Sequence, residues 1–369
     1  MNVVVANLLY ASREYAMRLV RGIAWRLLHA ARRPVASTGR SRSVLVVEMT
    51  RMGDVVFAAE LANGLRQSLR GVKVGLGVSP AYVSLARLLA PGTIVVPIQA
   101  GVLEYLHALM PGQGDKWDLG VTASPALRNL VALFAAGCRS VDGYLRPPGR
   151  WWAYRPEARL GIGTPGSRTV PSEHLRMRAN RIMEAVCARF GRRPRYQGMK
   201  AAGARARLRK VVLHAGGVWR FRRWPAERWV TLARLLRSRR LEVTLVLGPE
   251  NAEEVSAFGA LLGSGVEIRN APSLPELVRL LRSAGLFIGP DSGVMHLAGA
   301  MGARAVALMG PSLPCQSGPL APGSRVVQGK VPCAPCSQCL CVRPFTPCMA
   351  RIGVRAVVDA VFHRRRGEA

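Results

Sequence analysis

Residues 286–312 read LFIGPDSGVMHLAGAMGARAVALMGPS. A short apolar run, Leu286 to Ile288, stops at Gly-Pro-Asp. A stretch with helical spacing follows, and Ala305 to Met309 is apolar again. Strand, turn, helix and strand in that order form the repeating unit of a parallel sheet. The turn joins the carboxyl end of a strand to the amino end of a helix. Unpaired N–H groups and the positive end of the helix dipole gather there and attract phosphate. Gly293 lets a phosphate approach the backbone, and Ser292 caps the helix or donates to a phosphate oxygen. His296 lies about one turn further in. Taken alone, this octamer is an ordinary capped helix carrying a buried histidine.

The same alternation extends outward on both sides. Upstream, VVLHAGG from Val211 reads as a strand and turn, and AERWVTLARLLRSRR as a helix with Trp229, Leu232, Ala233, Leu235 and Leu236 on its apolar face. EVTLVLG is a strand and LPELVRLLRSAG a helix. An earlier series starts at Val44 with the strand VLVVEM and continues with a helix from Asp54 through Leu69. Then follow the strand VKVGLGV, the helix PAYVSLARLLA, the strands TIVVPI and WDLGVTA, and the helix PALRNLVALFAAG. Residues 143–170 break this rhythm with Arg and aromatics among Pro and Gly. Residues 173–190 read as a helix, and a basic connector leads to Val211. The pattern predicts an α/β chain of two Rossmann-like, doubly wound domains, 43–200 and 205–345, facing a cleft at the carboxyl ends of their sheets. A C-terminal helix and basic tail occupy 346–369.

The chain has 369 residues, 49% of them hydrophobic and 20% charged, a globular balance with room for two cores. No apolar run reaches about 18 residues, so no spanning helix is expected. The formal net charge is +32, with only five Lys among the 53 basic residues. An arginine-favouring genome accounts for that bias, yet such a surplus attracts polyanions: nucleic acid, acidic lipid or phosphorylated glycolipid. Residues 1–42 form a basic amphipathic extension and linker. Leu8, Ser12, Tyr15, Leu19 and Ile23 recur at helical spacing, and Arg13, Arg18, Arg21 and Arg26 lie mostly off that stripe. Such a helix lies in a membrane interface or packs on the protein's own core. No positive residue precedes the first apolar stretch, which argues against a signal peptide.

Three further turns carry candidate chemistry. Gly53-Asp54, in EMTRMGDVV, follows the first strand; Asp54 is a helix cap or a base for a hydroxyl proton. Gly216-Gly217 end the strand of VVLHAGG, and in the Arg-rich loop after them Arg222 and Arg223 could neutralise a diphosphate. Glu250, in VLGPENAEE, could hold a ribose diol.

Together with PDSGVMHLAGAMGARAVALMGPS, RRWPAERWVTLA and a Cys-rich tail ending in CMARI, these turns resemble glycosyltransferase family 9, the ADP-heptose:lipopolysaccharide heptosyltransferases. The resemblance covers roughly residues 44–362. It implies a GT-B fold and an enzyme that transfers a heptose or similar sugar from an ADP-sugar to a lipopolysaccharide core or related phosphorylated glycolipid. It implies Asp54 as general base and a donor site built from Gly216, Gly217, Arg222, Glu250, Asp291, Ser292, Gly293 and His296. Arg51, Gly53, Arg146 and Arg150 are the acceptor-side candidates. No cofactor is expected, and the lack of an Asp-x-Asp motif accords with metal-independent transfer. Glu48 departs from the family, which often carries Arg there. Glu60 stands where Pro is frequent, and Thr50-Arg51 replaces a small hydroxyl pair.

Six of the eight cysteines fall between Cys315 and Cys348. Cys333, Cys336, Cys339, Cys341 and Cys348 could hold a structural zinc or iron–sulfur cluster, or remain reduced. The expected location is cytoplasmic and peripheral at the inner membrane, on an anionic surface. The competing class is a basic nucleic-acid-binding protein on the same scaffold. No RNA- or DNA-binding motif supports it, and Arg is dispersed over every helix.

Overall fold

All six residues of β1, Ser43–Glu48, are buried. A β-branched run with no polar alternation suits a strand covered on both faces. In the computed structural model the described residues are 42–99, 116–124, 126–143, 174–196, 209–217, 220–249, 254–262, 265–334, 341 and 346–362. The chain divides between Gln197 and Gly198 into two compact units.

The first unit is built on a sheet of five parallel strands: β1, β2 (Lys73–Val78), β3 (Ile94–Pro97), β4 (Trp117–Thr122) and β5 (Cys138–Gly143), in the order β3-β2-β1-β4-β5. β1 pairs with β2 from Ser43↔Lys73 to Glu48↔Val78, and with β4 at Val44↔Leu119 and Val46↔Val121. Connections run outward from β1 to β3, then cross to β4. The switch point therefore lies beside β1, and its carboxyl end is Glu48. Helix Met52–Ser68 covers the sheet with a nearly all-apolar face and carries helix Leu175–Arg189 against its other side. Gly75 of β2 is small because the Trp117 ring lies over it; an added Cβ would meet that ring at 2.4 Å.

The second unit repeats the plan with six parallel strands: β6 (Lys210–His214), β7 (Glu242–Leu247), β8 (Glu267–Asn270), β9 (Leu286–Pro290), β10 (Arg304–Met309) and β11 (Arg325–Gln328). Their order is β11-β10-β9-β6-β7-β8. Here the switch point lies between β6 and β9, which pair at Val211↔Leu286 and Leu213↔Ile288. Helix Ala226–Ser238 buries Trp229, Val230, Leu232, Ala233 and Leu236. Leu235, expected on that face, is 42% exposed. The stripe runs through Trp229, Leu232, Ala233 and Leu236, spaced three and four apart, and Leu235 lies off it. Among the described residues, elements that the sequence pattern does not announce complete the units, β5, β8, β11 and helix Val255–Leu262 among them. Helix Val354–Phe362 returns to this unit and puts Val357 and Val361 into its core.

Candidate functional site

In the first unit the residues after β1 meet helix Leu127–Ala135, which follows β4 across the switch point. Glu48 is 1% exposed. The Thr50 N–H donates to Glu48 Oε1 at 2.9 Å, and the Thr50 hydroxyl lies 2.5 Å from the same oxygen. That hydroxyl also lies 3.0 Å from Asp54 Oδ2. Asn129, fully buried, donates from Nδ2 to Glu48 Oε2 at 3.0 Å and to Thr122 Oγ1 at 3.0 Å, and its Oδ1 accepts the Met49 N–H at 2.7 Å. Burial, and after it the charge of Asp54, raises the Glu48 carboxyl from 4.5 to about 8, against the bonds from Thr50 and Asn129. Tyr82, in the short turn Pro80–Tyr82, is raised by burial first; the Met52 N–H lowers it, and the charges of Asp54 and Glu48 raise it.

The helix-cap reading of Asp54 gives way to another role. Arg51 occupies the cap position without a side-chain cap bond, and Asp54 sits in the first turn with Thr50 on its carboxylate. Arg51 is exposed and Gly53 buried. Glu60 is paired with Arg176 at 3.5 Å, and burial outweighs that partner, raising Glu60 from 4.5 to about 7.

In the second unit the turn after β9 and the loop after β6 are joined by one side chain. Arg222 Nη1 donates to the Asp291 carbonyl at 2.9 Å and pairs with Asp291 Oδ2 at 3.2 Å. The same Oδ2 accepts the Ser312 hydroxyl and, at 3.1 Å, that of Ser317. The carboxylate therefore braces a guanidinium, the Ser312 hydroxyl and, at the end of the short helix Pro314–Ser317, the Ser317 hydroxyl. Ser292 caps helix Gly293–Ala300, accepting the Met295 N–H at 3.4 Å. His296 is 5% exposed, on the buried side of that helix. Gly217 has φ +153°, a backbone that favours glycine. Its carbonyl accepts from Arg223 Nε at 3.2 Å, while Arg223 Nη1 reaches Glu254 at 3.2 Å. Gly216 lies beside it at the end of the same strand.

Glu250, Arg146, Arg150, Cys336 and Cys339 lie outside the described residues, as does the extension 1–41. Cys333 and Cys315 are exposed, Cys341 is half-buried and Cys348 is buried. Among the described residues no group of three His, Cys, Asp or Glu could hold a metal ion. No helix among them is long and apolar enough to cross a membrane. Asn129, Ser312 and Ser317 were not anticipated. An asparagine inside the apolar helix PALRNLVALFAAG was a detectable anomaly, since a buried amide must find partners.

Residues 190–344 match the family described as glycosyltransferase family 9 (heptosyltransferase). The matched segment contains Gly216, Gly217, Arg222 and the turn from Asp291 to His296. The chain is 32% identical over 136 residues to lipopolysaccharide heptosyltransferase 1 of Pseudomonas aeruginosa, covering 36% of this chain and 37% of that protein. It is 30% identical over 108 residues to lipopolysaccharide heptosyltransferase 1 of Campylobacter coli, covering 28% and 32%. The chain thus spans about a third of the length of these curated relatives. Among solved structures, the E. coli heptosyltransferase WaaC with ADP-2-deoxy-2-fluoro heptose superposes with a TM-score of 0.62 at 17% identity, covering 86% of this chain and 98% of that one. The fold is of the GT-B type, with two Rossmann-like doubly wound domains.

Proposed function

We propose that this chain transfers a heptose, or a similar sugar, from an ADP-sugar to a lipopolysaccharide core or related phosphorylated glycolipid, without a metal ion. The observation that carries this reading is the family 9 match over the unit that holds Arg222 and the Asp291–His296 turn. The solved relative with an ADP-heptose analogue and the curated lipopolysaccharide heptosyltransferases support the substrate classes. In the reaction the acceptor oxygen bonds to the anomeric carbon as the bond from that carbon to the ADP phosphate breaks. Asp54 takes the acceptor's hydroxyl proton. The N–H groups opening helix Gly293–Ala300 and the braced Arg222 stabilise charge on the departing diphosphate. His296, Gly216 and Gly217 belong to the same donor site, with Glu250 toward the ribose, while Arg51, Gly53, Arg146 and Arg150 serve the acceptor.

The test is incubation with ADP-heptose and truncated lipopolysaccharides held in anionic liposomes, followed by mass spectrometry of the lipid. The full chain should add one heptose, and Asp54→Asn should lower turnover about a hundredfold with ADP affinity retained. A chain lacking residues 1–42 should lose liposome binding if that extension holds the protein at an anionic membrane. Absence of any sugar transfer would end the reading, and near-normal turnover in Asp54→Asn would remove Asp54 from the mechanism.

A further inference from the structure

A threonine hydroxyl has one proton, and at Thr50 two carboxylates claim it. Glu48 Oε1 lies at 2.5 Å and Asp54 Oδ2 at 3.0 Å. With both acids ionised, one of these contacts sets acceptor against acceptor. With a proton on Glu48 Oε1, both are satisfied: Glu48 donates to the Thr50 oxygen, and the Thr50 hydroxyl donates to Asp54. The rest of the shell fits that state. Asn129 donates to the other oxygen, Oε2, and is itself locked by Met49 and Thr122. The groups acting on the Glu48 charge are Asp54 from helix Met52–Ser68, Thr50 from the loop and Asn129 from helix Leu127–Ala135. Tyr82, from the turn Pro80–Tyr82, feels the charge of both acids. Among the described residues the charge acting on Glu48 is that of Asp54, of like sign, and burial acts in the same direction.

We infer that Glu48 is a neutral carboxylic acid in the working protein and a positioning residue, orienting the Asp54 carboxylate through the Thr50 hydroxyl. The inference rests on the reading of Asp54 as the base. Of the two acids, Asp54 then gives up its proton first and is an oriented anion at neutral pH. When Glu48 ionises, it draws the Thr50 hydroxyl to itself. Asp54 loses its donor and gains a repelling neighbour, so the transfer rate falls. That places the alkaline limb of the rate near pH 8, where Glu48 loses its proton. In Glu48→Gln, an amide N–H can donate to the Thr50 oxygen and nothing ionises there, at the loss of the Thr50 N–H bond.

Two measurements test this on the full chain. The first follows the carbon-13 NMR signals of labelled Glu carboxyls with pH, the Glu48 signal being the one absent from Glu48→Gln. It should report a neutral acid at pH 7, and titration in the ordinary glutamate range would overturn the inference. The second compares pH–rate profiles for transfer from ADP-heptose, each scaled to its own maximum. The wild-type rate should fall above about pH 8, and that of Glu48→Gln should hold; the same alkaline limb in both would sink the relay. Thr50→Val should lower kcat about tenfold with the donor KM kept, and Thr50→Ser should rescue it. A Thr50→Val enzyme as fast as wild type overturns the relay even if Glu48→Gln fails to fold. If no variant and no wild type transfers sugar, the proposed function has failed, while the NMR titration still decides the state of Glu48.

Discussion

Asp291 and Arg222 show how a strand-to-helix turn can be held by its own ion pair. Their side chains are 9% and 14% exposed, so the pair is screened little by solvent. Ser312 and Ser317 add hydrogen bonds to the same carboxylate oxygen, and a buried charge is stable only with such partners. Removing the acid takes the carboxylate from the Arg222 guanidinium beside a helix end and leaves its bond to the residue 291 carbonyl. Asp291→Ala should cost about 3 kcal/mol in urea unfolding. It should also weaken ADP binding in calorimetric titration, as should Arg222→Ala. Unfolding at wild-type urea concentration would show that the pair contributes nothing to this turn.

At the scale of elements, the stretch RRWPAERW does more than open a helix. Trp224 and Trp229 pack edge to face at 5.0 Å, and Trp224 Nε1 donates to the Ile352 carbonyl at 2.8 Å. Arg228 Nη1 donates to the carbonyls of Ala350 at 2.5 Å and Ile352 at 2.6 Å. These bonds stitch helix Pro347–Ala350 and the turn after it to helix Ala226–Ser238, ahead of helix Val354–Phe362. Arg228→Met keeps the aliphatic stem and loses charge-assisted bonds worth about 1.5–3 kcal/mol. It should lower stability by that amount and speed proteolysis after Arg351. A melting temperature equal to wild type would assign the tail's attachment to its other contacts, Trp224 with Ile352 and the buried Val357 and Val361 among them. Trp229 was readable on an apolar face, but the bonds to residues more than a hundred positions away were not, because no local pattern encodes a distant carbonyl.

At the scale of the molecule, two acids, Glu48 buried and Glu60 half-buried, tie stability to pH in one direction. Glu48 rises to about 8 and Glu60 to about 7 in the folded chain, from an ordinary 4.5. The folded state then binds more protons than the unfolded state between those values. Stability is therefore highest below about pH 4.5 as far as these groups act, and falls as pH climbs through 7 and 8. Melting temperatures taken at pH 5 and pH 8 should show a drop, and Glu48→Gln should make it shallower. A chain equally stable at both would place solvent or a cation beside these carboxylates.

The strands and helices around both switch points were legible because short apolar runs alternating with amphipathic helices have one low-energy arrangement, a parallel sheet covered on both faces. Asp54, Asp291, Ser292 and Gly293 were legible as candidates because strand-to-helix turns expose N–H groups and caps whatever the rest of the chain does. β5 and β8 were not, since CRSVDG and EIRN carry too few apolar residues to announce a strand, and pairing with β4 and β7 makes them one. Glu48 could be seen only as an acid ending a buried strand. Tertiary structure decided its surroundings, because these depend on Asn129, 81 residues away, on the burial of the carboxyl and on a hydroxyl shared with Asp54.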